Sequence, residues 1–171
     1  ILYISKFLFL YILIVSLTDI IVPEKYSITT DMKNSIIIEV NKEIKTEKNL
    51  ELSILANLDL FFKQLGSGFA YIAHQYKIVE NNHNYYIDIL LFNIKLNCYT
   101  VLELKLRSLR KEDRSQIEFY MKLVDNHLKE AHHNKTIGII ITKESDEFVV
   151  NFVRSEDIIL LSYELKQQEV A

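Results

Sequence analysis

The succession of apolar patterns along this chain predicts an α/β sandwich, a mixed central sheet flanked by helices. Three observations carry that expectation. The runs YYIDILLF at 85–92, YTVLELKL at 99–106, TIGIIIT at 136–142 and IILLSYEL at 158–165 have the apolar density and the β-branched or aromatic content of strands. Between the second and third of them, Ile117, Met121, Val124 and Leu128 recur at helical spacing. Only 3 Gly and 1 Pro occur in 171 residues that are 49% hydrophobic and 25% charged, which indicates long regular elements rather than disorder. A chain of this length fits one compact core with a short extension, not a second full domain.

Residues 1–46 read as an apolar segment followed by a linker. FLFLYILIVSL at 7–17 is apolar apart from Ser16, with Lys6 before it and Asp19 after it. About eleven residues is short for a membrane span. Only one positive charge precedes the run and no small-residue cleavage site follows it. A buried helix, or the remnant of a lost domain, is therefore preferred to a membrane anchor. From Pro23 to Lys48 the chain turns polar and charged, and SIIIEV at 35–40 is its one strand-like segment.

The main domain is expected at 47–171. It opens with a helix over about 47–65, ended by Gly66 and Gly68. A strand at 69–79 and a turn at Asn81–Asn84 follow. After the strands at 85–92 and 99–106 come a helix at 110–131, a strand at 136–142, a helix at 145–153 and a last strand at 158–165.

The net charge of −3 and the pI near 6.0 leave no bulk basic field to attract nucleic acid, so any such binding must be local. Lys105, Arg107, Arg110, Lys111 and Arg114 form the densest basic cluster, which suits a phosphate backbone. Cys98 is the only cysteine, so no internal disulfide forms, and a reducing cytoplasm is the expected location. The histidines show no tight zinc spacing: His132 and His133 read as a helix end, and His74 as a strand-face residue.

Charge where a core strand should carry none marks the candidate site. Asp88 stands alone in the run 85–92, while Glu103 and Lys105 interrupt 99–106. A buried charge costs several kcal/mol unless it is paired or metal-bound. Strand alternation puts Glu103 and Lys105 on one face, with Leu102, Leu104 and Leu106 on the other. If the two runs form a hairpin around Ile94–Asn97, Asp88 lies opposite Glu103. Two facing carboxylates repel, and a divalent cation with oxygen ligands, magnesium above all, is the simplest remedy. A lysine beside them could hold a water or a phosphate. The competing reading is a solvated stripe on a half-exposed sheet, but the flanking residues are apolar on both parities, as in strands covered on both sides.

Asp88 followed by Glu103-Leu104-Lys105 is similar to the PD-(D/E)xK nuclease signature. The surrounding segments FFKQLGSGFAYIAHQYKI, YYIDILLFNIKLNCYTVLELKL, QIEFYMKLVDN and NKTIGIIITKESDEFVV resemble, in order, the YhcG-type family of those nucleases over most of residues 50 to 165. The resemblance implies a restriction-endonuclease-like three-layer sandwich and a metal-dependent nuclease, acting on nucleic acid with DNA the preferred substrate. It implies that Asp88 and Glu103 ligate Mg2+, with Mn2+ as substitute, and that Lys105 positions the attacking water and steadies developing charge. Glu51 is a further candidate metal ligand on the first helix. Gln116 and Tyr120 match the Q-x-x-x-Y spacing that RecB-like members carry on the helix after the Glu-x-Lys strand, and one helical turn puts both on one face.

The match has departures. Ile87 replaces the nominal proline, and residues 1 to about 45 carry no recognisable match; the family usually carries an additional N-terminal domain. A fragment or a shortened gene product is the corresponding expectation. The alternatives are a catalytically inactive nucleic-acid-binding or assembly module of the same fold, and a membrane-tethered interaction protein organised around residues 7–22. A homo-oligomer is compatible with any of these.

Overall fold

The computed structural model describes residues 35–66 and 68–167. The apolar run at 7–17 lies outside them. Among the described residues no helix is long and apolar enough to cross a membrane.

Strands β1 (Ser35–Val40), β2 (Phe69–Glu80), β3 (His83–Asn93), β4 (Cys98–Ser108), β5 (Ile137–Lys143) and β6 (Ile158–Gln167) form one sheet in the order β1-β6-β5-β4-β3-β2. The β2–β3 hairpin closes on Asn81 and Asn82, whose φ values of 50° and 63° suit a two-residue turn that follows the sheet twist. Asparagine tolerates that backbone better than any other residue except glycine. The turn is therefore tighter than the expected 81–84. The β3–β4 pair is also antiparallel. The remaining pairs, β4–β5, β5–β6 and β1–β6, are parallel. Buried on both faces, β5 is apolar at nearly every position.

Helices α1 (Glu47–Ala56) and α2 (Leu58–Leu65) cover one face of the sheet, and α3 (Glu112–His127) and α4 (Glu147–Val153) the other. The single helix expected over 47–65 is broken at Asn57. Its backbone leaves helical geometry, and its side chain accepts the Leu60 N–H at 3.3 Å, which caps α2. The helix expected at 110–131 is shorter at both ends, running from Glu112 to His127, so Leu128, the last residue of its apolar stripe, is its C-cap. Ile117 and Val124 of that stripe are buried, with Met121 and Leu128 partly buried beside them, and Leu123 is a buried addition.

Composition assigns Ser35–Val40 to a linker ahead of residue 47, yet among the described residues this segment is the edge strand, with Ser35 opposite Ser162 and Val40 opposite Gln167. Ile36, Ile38 and Val40 share a buried cluster with Leu50 and Ile54 of α1. The boundary at 46/47 therefore passes through one packed core. The core of Leu102, Leu104, Ile139 and Ile141 underlies α1 and α2, while Val101, Ile140 and Leu160 underlie α3 and α4.

Candidate active site

The β3–β4 ladder runs from Asn93↔Cys98 to Ile89↔Leu102 and ends there, whereas β2–β3 continues out to Glu80↔His83. The sheet thus forks at Asp88, whose Oδ2 accepts the Leu104 N–H at 2.9 Å where a ladder bond would otherwise form. Side-chain alternation slips at the same point: Ile87 packs in the α3-side core and Ile89 in the α1-side core. On the neighbouring strand Gln75 has φ 46°. A non-glycine residue in that left-handed region costs roughly 1–2 kcal/mol. The Gln75 Nε2 donates to Glu51 Oε2 at 2.5 Å and to Asp88 Oδ1 at 3.2 Å, so one amide joins two carboxylates.

Glu103 and Lys105 project together, as strand alternation predicts, with Lys105 Nζ 3.3 Å from Glu103 Oε2. Lys105 also donates to Gln116 Oε1 at 3.0 Å, and Gln116 Nε2 donates to Glu103 Oε2 at 3.2 Å. Tyr120, one helical turn on, hydrogen-bonds Gln116. Glu103 is 3% exposed and Lys105 7%. The second Glu103 oxygen, Oε1, is buried with no hydrogen-bond partner among the described residues.

Burial and then the Asp88 charge push the Glu103 carboxyl up to about 8, against the opposing pull of Lys105. Burial also raises Asp88, with the Leu104 N–H and Lys105 holding it back. Glu51 is raised by burial, opposed by its hydrogen bond from Gln75. At each candidate carboxylate burial thus outweighs the nearby cations and hydrogen-bond donors.

The basic cluster is partly committed elsewhere. Arg107 grips buried Asp113 through two hydrogen bonds of 2.8 and 2.6 Å. Burial opposes the Asp113 charge, but this guanidinium and the Arg110 N–H hold the carboxyl below its usual range. Arg114 bonds Glu118 at 2.8 Å and the Phe152 carbonyl at 2.9 Å. Arg110 and Lys111 stand exposed at the start of α3.

Among the described residues no three His, Cys, Asp or Glu side chains converge as a metal cluster. The pair Asp88 and Glu103 instead suits the open type of site that magnesium uses, in which one or two carboxylates are completed by water and substrate phosphate. Glu103 Oε1, a buried acceptor with no donor among the described residues, is the atom that fits such an ion. Two neighbours escape a reading of sequence. Glu47 accepts the Leu106 N–H at 3.3 Å and adds negative charge near Asp88 and Glu103; its i, i+4 spacing to Glu51 is the signal that could have flagged it. Gln75 has no such signal, because nothing in glutamine announces a left-handed backbone.

A mixed sheet between two helical layers, forked where an Asp meets a Glu-x-Lys, is the architecture of a PD-(D/E)xK nuclease with the restriction-endonuclease-like fold. The model of the YhcG PDDEXK nuclease domain matches residues 28–170, and the chain belongs to that family. Over 84 residues it is 25% identical to "Putative nuclease YhcG" of Escherichia coli (strain K12), which covers 49% of this chain and 22% of that protein. The chain therefore matches about a fifth of that relative's length. The crystal structure of a repair endonuclease from Pyrococcus abyssi superposes with TM-score 0.50 at 17% identity, over 75% of this chain and 50% of that one. EndoMS in its apo form gives TM-score 0.47 at 16% identity, over 75% and 49%. PDDEXK nucleases generally use divalent metal ions.

Proposed function

We propose that this domain hydrolyses phosphodiester bonds in nucleic acid, DNA by preference, with Mg2+ held by Asp88 and Glu103. The observation that carries the reading is the buried Glu103 carboxylate, one oxygen tied to Lys105 and Gln116 and the other without a partner among the described residues. When bound, the ion supplies Lewis acidity and neutralises charge developing on the phosphoryl oxygens.

The chain's own groups do the positioning. The Leu104 N–H and Gln75 orient Asp88, so its carboxylate is set before any ligand arrives. Lys105, fixed by Glu103 and Gln116, orients the attacking water and donates to the phosphate as negative charge grows there. Tyr120 holds Gln116 in turn. Glu51 becomes a third oxygen donor once Gln75 releases it. Arg110 and Lys111 meet the phosphate backbone beyond the scissile bond.

The test is cleavage of supercoiled plasmid, single-stranded circular DNA and a matched RNA, each with Mg2+, Mn2+, Ca2+ or a chelator. DNA cleavage with Mg2+ or Mn2+, and none with chelator, is expected. Salt-sensitive binding with no cleavage under any ion would contradict the reading and favour an inactive binding module.

A further inference from the structure

We propose that the exposed face of the β2–β3 hairpin is a track for an unpaired nucleic-acid strand, with Tyr86 stacking on a base and Lys77 contacting phosphate beside it. This rests on the nucleic-acid reading above and deepens it by naming the substrate class.

The placement follows from the fork. Beyond Asp88 the hairpin has left β4, and among the described residues its two strands pair only with each other. One face, carrying Ile78, Ile87, Tyr76 and Tyr85, packs into the α3-side core. Alternation sends Lys77 and its direct cross-strand neighbour Tyr86 to the opposite face, where both are exposed, Tyr86 by 47%. Tyr86 lies two residues from Asp88, about 7 Å along the strand.

On the inner side of the fork the left-handed Gln75 reverses the alternation, so His74, opposite Ile89, falls on that same α1-side face. His74 accepts or donates a 2.6 Å bond with the Tyr71 hydroxyl, and the two rings stack with centroids 6.5 Å apart. A stacked Tyr–His pair and a Lys–Tyr pair thus flank the Asp88–Gln75 contact, one on each side.

Aromatic rings interleaved with cationic groups are the recognition chemistry of single strands, because a ring needs a splayed base face and a paired base has none to offer. A duplex would meet the lysine and leave Tyr86 idle.

The test is fluorescence anisotropy with a labelled single-stranded oligonucleotide and its duplex, in chelator so that nothing is cleaved. Tyr86→Ala should weaken single-strand binding about tenfold and barely change duplex binding, while Tyr86→Phe restores it. Lys77→Ala should lower the slope of log affinity against log salt by about one. Unchanged single-strand binding in Tyr86→Ala, or equal losses on both substrates, would overturn the proposal. Catalysis is read separately: cleavage by the wild type alongside unaltered binding in Tyr86→Ala sinks the track and keeps the nuclease, whereas selective binding loss with no wild-type cleavage does the reverse.

Discussion

Glu103 shows how a single buried residue can be out of balance in the isolated fold. Its carboxyl sits at about 8 against an ordinary 4.5, with burial the largest cause. A group whose folded pKa lies above its unfolded value favours the fold in its protonated form. That contribution is complete below about pH 4.5 and is lost as pH rises through about 8. Metal-free protein should therefore lose thermal stability across this window, and Glu103→Gln should flatten the loss. Melting curves from pH 4.5 to 9 in chelator check this, and parallel profiles for the two proteins would contradict it. The charged interruptions at Asp88, Glu103 and Lys105 were legible in the sequence because a strand's period of two makes every misplaced charge conspicuous. The ladder expected to place 88 opposite 103 stops one pair short, at Ile89↔Leu102, and Asp88 takes the Leu104 N–H where the strands part. Gln75 was not legible, since its role depends on a backbone conformation that its residue type does not favour.

Among the elements, α3 matters most because it brings Gln116 to Glu103 and Lys105. It packs against β5 at Gly138, where an added Cβ would lie 2.7 Å from Ile117 Cδ1 and 2.9 Å from Met121 Sδ. Gly138→Ala should destabilise the fold by about 1–3 kcal/mol through overpacking. Denaturant unfolding measures the loss, and a stability equal to wild type would show that α3 has slack at this contact. The stripe at Ile117 and Val124 announced this helix plainly. The break at Asn57 did not show, because the apolar pattern continues through it and only the side-chain cap reveals the interruption. Arg107 and Arg114 read as free basic charge because their partners, Asp113 and Glu118, look like ordinary helix carboxylates until the fold pairs them.

At the scale of the whole molecule, the mixed sheet uses its two kinds of pairing for different ends. The parallel strands β4, β5 and β6 supply a rigid core buried on both faces, and the antiparallel hairpin departs from it to open the site. That plan followed from the order of strand-like and helical runs, with one exception. Strand β1 pairs with the far end of the chain, and a six-residue apolar segment in polar surroundings carries no record of so distant a partner. The proposed function makes Asp88, Glu103 and Lys105 one hydrolytic centre at the fork. The most direct measurement is the rate of DNA cleavage with Mg2+ by wild type, Asp88→Ala and Lys105→Ala, each shown by circular dichroism to be folded. Each variant should be slower by at least about 100-fold. Cleavage by the folded variants at the wild-type rate would contradict it.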